Sequence, residues 1–165
     1  MNYIGYLWFK IRLLFIRMRV NAAKKHMLSG IQSSRHTTGN IDRSYRQFLD
    51  LSARQEELAV AMRRITHKNT DFPMLNVKID TGSVCVSPEA QNQLTDFDKE
   101  MALIRHRNGD WGEPSIPNWK ENNEAVLSDT GKLLSRYPCH GGGFFFIETD
   151  LSIPKTNIRL EGKCI

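Results

Sequence analysis

Two histidines and one carboxylate are the residues of this chain best suited to proton transfer. His106 and Asp110 stand four positions apart, and His140 sits in a glycine-rich loop. An imidazole oriented by a carboxylate is the usual unit of general acid–base catalysis, so the three are candidates for a small hydrolase or nuclease site. Two histidines and one acid name no particular mechanism. His106 and Asp110 lie in the densest stretch of the chain, Arg105-His106-Arg107-Asn108-Gly109-Asp110-Trp111-Gly112-Glu113. Each of these residues also has a structural task open to it. Arg105, His106 and Arg107 suit the negative end of a helix dipole. Gly109 can close that helix in the left-handed conformation. Asp110 can turn its carboxylate back onto nearby amides, and Trp111 has about 200 Å² of ring surface to bury and one N–H to satisfy. As a binding site, the candidate set is Arg105, His106, Asp110, Trp111 and Asn123, because arginine and tryptophan anchor many interfaces.

The elements that must position these residues follow from periodicity and punctuation. Residues 75–86 alternate loosely and predict one or two strands with a turn near Asp80–Gly82. Ser87-Pro88-Glu89 reads as a helix start. Thr95 caps a second helix, with Phe97, Met101 and Ile104 on one face and Asn108-Gly109 at its end. A third helix covers residues 115–129, with Ile116, Trp119, Asn123, Val126 and Leu127 on one side. Asn123 is the polar member of that face and needs a partner, either the turn at Asp110–Gly112, a strand edge or a ligand. Residues 132–137 and 143–148 form a hairpin around Pro138-Cys139-His140-Gly141-Gly142. Phe144-Phe145-Phe146-Ile147 is apolar on both faces, as a central strand covered by helices would be. Residues 157–160 predict a last strand. The glycine run lies between strands and is no P-loop.

The first 73 residues have a different character. Residues 1–20 are strongly apolar but carry Lys10, Arg12, Arg17 and Arg19. Four cations argue against a spanning helix, and their position within and after the apolar core argues against a signal peptide. Lys10, Arg17 and Lys24 share one helix face, and Arg12 and Arg19 fall nearly opposite, so the amphipathic pattern is imperfect. Residues 29–40 read as a polar connector. Residues 41–66 read as one long helix, with Ile41, Tyr45, Phe48, Leu49, Leu58, Met62 and Ile65 on a stripe and Asp71-Phe72-Pro73 after its end. No short recognition helix follows, which argues against a helix-turn-helix reader. Met18, Met27 and Met74 are internal methionines at which a shorter chain could begin.

Charge divides the sequence as sharply. Residues 1–74 hold 13 Lys and Arg against 5 Asp and Glu, and residues 75–165 hold 10 against 13. A basic arm ahead of a mildly acidic body suits an anionic partner, nucleic acid or a lipid surface. The 3 cysteines, Cys85, Cys139 and Cys164, are odd in number and lack Cys-x-x-Cys spacing, so neither a disulfide framework nor a zinc site is expected.

The fold class that follows is α+β: a small antiparallel sheet of three to four strands packed with two or three helices over residues 74–165. A mainly helical basic extension, residues 1–73, precedes it and comprises an apolar basic segment (1–28), a linker (29–40) and a helix (41–66).

The second half resembles a family of small proteins encoded on plasmids, phages and integrative elements, often called plasmid-related proteins and sometimes labelled as restriction-modification subunits. That family's pattern places a short strand before a helix, then Arg-His-x-x-Gly-Asp-Trp-Gly, a helical Asn, Arg-Leu-Leu-Ser-x-Tyr, and an apolar strand running into Asp-Arg-Ser. The matching positions here are 84–88, Arg105, His106, 109–112, Asn123, 133–135, Tyr137, Ile147, Asp150 and Ser152, within residues 74–160. Lys132 replaces the usual arginine, which removes a bidentate contact, and Leu151 stands where an arginine is usual.

The resemblance implies a protein of a mobile element, and with no diagnostic catalytic or metal motif in the chain the expectation is a non-catalytic accessory protein that binds a host or element-encoded protein or nucleic acid, with no small-molecule cofactor and no metal. Two alternatives stand beside it: the small hydrolase or nuclease using His106 and Asp110, and a peripheral membrane protein held by residues 1–20. The expected location is the cytoplasm, with the inner-membrane surface as the second site.

Overall fold

The computed structural model of this chain describes residues 3–32, 38–66 and 74–162. The chain divides into two compact units, Met1–Met62 and Arg63–Ile165. Its fold is α+β, the class read from the sequence.

The first unit is built from α1 (Tyr3–Gln32) and most of α2 (Thr38–Thr66). Both helices run further into the polar connector than expected: residues 29–32 close α1 and residues 38–40 open α2. Residues 33–37 of that connector, and the Asp71-Phe72-Pro73 breaker, lie outside the described residues. Tyr45, Phe48, Leu49, Leu58 and Met62 of the predicted stripe are half-buried, and Leu51, Ser52 and Val60 are buried. The buried Ser52 hydroxyl donates to the Phe48 carbonyl at 2.8 Å, one turn back, so it carries no unmet hydrogen bond. No described helix is long and apolar enough to cross a membrane.

The second unit is a four-stranded sheet with three short helices. The elements are β1 (Ser83–Val86), α3 (Pro88–Gln93), α4 (Asp96–Arg107), α5 (Ile116–Ser128), β2 (Lys132–Pro138), β3 (Phe144–Asp150) and β4 (Lys155–Leu160). Strand order is β1-β4-β3-β2. The β2–β3 and β3–β4 pairs are antiparallel, as expected, but β1 runs parallel to β4, so the sheet is mixed. Before β1, residues 75–82 join no ladder. Their backbone finds other partners: the Ile79 amide donates to the Arg107 carbonyl at 2.7 Å, and the Gly82 amide donates to the Asp80 carboxylate at 2.9 Å. The alternation there seats Val77 and Ile79 against Trp111 and does not mark a strand.

Helix ends fall where local chemistry places them. Ser87 accepts from the Ala90 amide, and Thr95 and Asp98 form a reciprocal capping box. Ser115 caps α5 with a proline in its first turn. On the sheet, Leu133, Ser135, Tyr137, Phe145, Ile147, Thr149, Thr156 and Ile158 form the buried face. The other face is not covered by helices as the Phe144–Ile147 run had suggested. Phe144 and Phe146 are half-buried there, under the guanidinium groups of Arg136 (3.4 Å from the ring centre) and Arg159 (4.7 Å). Cation–π cover of this kind lets an aromatic pair tolerate partial exposure.

Candidate functional site: a locked polar knot

The Arg105–Glu113 stretch sits where α4 ends against the sheet. Gly109, at φ 72°, turns the chain, and the Asp110 amide reaches back to the Arg105 carbonyl at 3.0 Å. Trp111 is fully buried. Its Nε1–H donates to Asn123 Oδ1 at 3.1 Å, so α5 supplies the partner that the indole requires. Gly112 then passes beside β2: Arg136 N–H donates to the Trp111 carbonyl at 3.1 Å, and the Glu113 amide to the Arg136 carbonyl at 2.8 Å. A Cβ on Gly112 would lie 2.2 Å from the Arg136 carbonyl oxygen, so no other residue fits this close approach.

Asp110 is enclosed by donors. Its Oδ2 accepts from Arg105 Nε at 2.9 Å and from Arg63 Nε and Nη2, each at 2.8 Å. Its Oδ1 accepts from Arg105 Nη2 and from the Gly112 amide, each at 3.2 Å. Burial alone would push the carboxyl pKa up. The Arg105 hydrogen bonds, the Arg105 and Arg63 charges and the Gly112 amide outweigh it and hold the pKa below the usual value. The Asp110 backbone carbonyl is occupied too, by the Tyr137 hydroxyl at 2.6 Å. Arg105 stacks over the Tyr137 ring at 4.8 Å. Tyr137 itself, fully buried and near the Asp110 charge, is pushed up out of the titrating range.

His106 is fully buried, with Ser135 Oγ 2.6 Å from Nδ1 and Thr149 Oγ1 2.8 Å from Nε2. Its protons can be counted from the far end of the network. Thr156 Oγ1 must donate to the Thr81 carbonyl at 2.7 Å, since a carbonyl only accepts. The Thr149 hydroxyl therefore donates to Thr156 at 2.6 Å, and Thr149 must accept from His106 Nε2–H. A neutral ring has no second proton, so Nδ1 accepts from Ser135 O–H. Burial first, and the Arg107 charge second, lower the His106 pKa from 6.5 to about 3. Every polar atom of the ring has one partner, and none is left for a substrate.

The sequence candidates are therefore distributed as follows. His106 and Asp110 do not pair: the imidazole turns into the sheet and the carboxylate turns to the arginines. His140 is exposed on the β2–β3 loop, and both ring nitrogens of the sealed His106 are already taken, so it does not complete a dyad. Trp111 and Asn123 meet each other. Arg105 is spent on Asp110 and Tyr137.

Two contributors were missed. Asn122 is buried, and its amide clamps the edge of β2, donating to the Leu134 carbonyl and accepting from the Leu134 amide, both at 2.8 Å. Its position between Trp119 and Val126 on α5 was the available signal. Arg63 enters from the last turn of α2, 47 residues away from Asp110, and nothing local could reveal it. Of the positions shared with the mobile-element pattern, Asp150 caps the β3–β4 turn by accepting from the Ser152 and Ile153 amides. Leu151 packs against the cluster of Ile79, Trp111 and Leu133, a place an arginine would fill less well.

No family model, characterised protein or solved structure matches this chain. Among the described residues no three His, Cys, Asp or Glu side chains converge as metal ligands would. Cys85 is exposed and free, whereas Cys139 is disulfide-bonded. The spacing had pointed away from a disulfide framework, and the bond at Cys139 corrects that reading, because chain spacing does not say which cysteines meet in space.

Proposed function

We propose that this chain is a non-catalytic accessory protein of a mobile genetic element, and that it binds an anionic partner through its helical first unit. The observation that carries this is the state of the ionisable block. His106 and Asp110 are buried with their polar atoms committed to neighbours, so the α+β unit uses them to hold its shape. The charge is elsewhere. Residues 1–62 carry ten Lys and Arg against four Asp and Glu, a net of +6, while residues 63–165 carry 13 against 14, a net of −1. The mobile-element context rests on the resemblance of the Arg105–Gly112 and Leu133–Tyr137 stretches.

Salt dependence tests the proposal. Binding of full-length protein to a polyanion, measured by anisotropy with heparin or duplex DNA and by sedimentation with anionic vesicles, should weaken steeply from low to high salt for at least one of them. Equal affinity across that range, or no binding to any of the three, would overturn it.

A further inference from the structure

Helix α1 carries two apolar stripes, and only one is used. Leu13, Ile16, Val20, Ala23 and Met27 recur at helical spacing and are half-buried within the first unit. Arg12, Phe15, Ile16 and Arg19 border an open groove there with Leu51, Glu57 and Leu58 of α2, so Phe15 stands at the edge between the two stripes. On the outward side Trp8, Ile11, Leu14, Phe15 and Met18 form a second stripe, between 43% (Ile11) and 61% (Phe15) exposed. Five large apolar side chains left in water on one helix face call for a partner.

The charges around the stripe indicate which partner. At 3.6 residues per turn, Lys10, Arg17 and Lys24 form one row beside it, Arg12 and Arg19 form a row on the other side, and Lys25 stands in line with Leu14 and Met18 beyond the C-terminal end of the stripe. The sequence pattern that looked imperfectly amphipathic is thus two cationic rows separating an inner from an outer stripe. All six cations are exposed, and α1 contains no acidic residue. The Arg12 guanidinium lies 4.7 Å over the Trp8 ring, a cation–π contact that sets this charge at the margin of the outer stripe.

We infer that the outer face of α1 lies flat on an anionic lipid bilayer, with Trp8, Leu14, Phe15 and Met18 in the interface and the two cationic rows at the headgroup phosphates. This deepens, and rests on, the anionic partner proposed for the first unit. A bilayer surface matches both features together, apolar depth at the centre and negative charge at both margins. Nucleic acid would use the cations but offers nothing to bury the stripe. A second copy would bury the stripe but would set cations against cations, with no acid on α1 to answer them.

The test uses the full-length chain, wild type and two double variants at exposed positions, Leu14→Ser/Met18→Ser and Arg12→Gln/Arg19→Gln, each checked for unchanged helicity by circular dichroism. Probes are phosphatidylglycerol–phosphatidylcholine vesicles in equal parts, phosphatidylcholine vesicles and duplex DNA. Expected is sedimentation with the anionic vesicles only. Removing two cations should weaken it by about thirtyfold, at roughly fivefold per basic residue, and the stripe variant should lose it as well. Binding to DNA that is insensitive to the stripe variant, with no vesicle binding, would overturn the lipid assignment and leave the anionic-partner proposal standing. Equal binding to neutral vesicles would overturn the charge argument. Binding to none of the probes would overturn the lipid assignment and, if heparin is not bound either, the anionic-partner proposal as well.

Discussion

The indole N–H of Trp111 donates to the side-chain oxygen of Asn123 across 3.1 Å. That bond ties the turn after α4 to the middle of α5, and it settles the structural task of the most conspicuous residue in the chain. Trp111→Phe keeps most of the buried area but leaves Asn123 without its donor, so a loss of about 1–2 kcal/mol is expected. Trp111→Ala should cost roughly 3–5 kcal/mol. Urea denaturation of Trp111→Phe, Asn123→Ala and the double variant should show the two positions to be coupled; strictly additive losses would mean that the bond contributes nothing.

Asp110 faces two arginines. Asp110→Asn removes the charge that both Arg63 and Arg105 answer. The arginines are 33% and 25% exposed and can recruit water, so the expected cost is about 2–3 kcal/mol, below the roughly 3–5 typical of a fully buried pair. The lowered pKa of Asp110 means its stabilisation is complete above the ordinary carboxylate value and is lost as pH falls through the depressed folded value. Chemical denaturation at neutral pH checks the magnitude; a variant as stable as wild type would show that the pair carries no stability.

Gly112→Ala is expected to be strongly damaging in the second unit, as is Gly82→Ala, whose Cβ would lie 1.8 Å from the Pro154 carbonyl oxygen. At Gly112, with φ 72°, the new Cβ would strike the Arg136 backbone oxygen at 2.2 Å, and a paired strand cannot move aside. Gly131→Ala also adds a methyl at positive φ, but its nearest neighbour is Ala125 Cβ at 3.8 Å, so only the backbone penalty of about 1–2 kcal/mol applies. Soluble yield and thermal midpoint of Gly112→Ala and Gly131→Ala should differ widely, and equal behaviour would contradict the close approach.

Acid should destabilise the fold through His106. Its folded pKa, about 3, lies below the unfolded 6.5. The unfolded chain therefore binds the extra proton between these values. Stability from this residue is complete above pH 6.5 and falls by about 1.4 kcal/mol per pH unit as pH drops toward 3. A set of urea titrations from pH 7.5 to 4 in wild type should show this slope, and His106→Gln should flatten it whatever its own stability.

What the sequence reveals is largely what is local. Ser87, Thr95 and Gly109 mark helix ends because a cap or a left-handed turn is decided within four residues. The Pro138–Gly142 loop follows from its own glycines in the same way. The need of Trp111 for both burial and an acceptor also follows from the residue itself. The partners do not. Arg63 reaches Asp110 from another helix, Ser135 and Thr149 reach His106 from two strands, and the parallel pairing of β1 with β4 joins segments about seventy residues apart. Residues 75–82 misled because alternation reports a buried side, not a ladder. On α5 the neighbouring asparagines differ by one position: Asn123 takes the indole and Asn122 the strand edge. On α1 the pattern was read around a single apolar face, and two faces separated by charge obey the same helical period.

The protonation of His106 tests most directly whether the ionisable block is a structural knot or a reacting site. In ¹⁵N-detected NMR of the full-length protein, the His106 ring should remain the neutral Nε2–H tautomer from pH 8 down to at least 5, with one ring nitrogen accepting and the other donating. A His106 ring that takes up a proton between pH 6 and 7, or that carries its proton on Nδ1, would contradict the sealed network and return this histidine to the catalytic candidates.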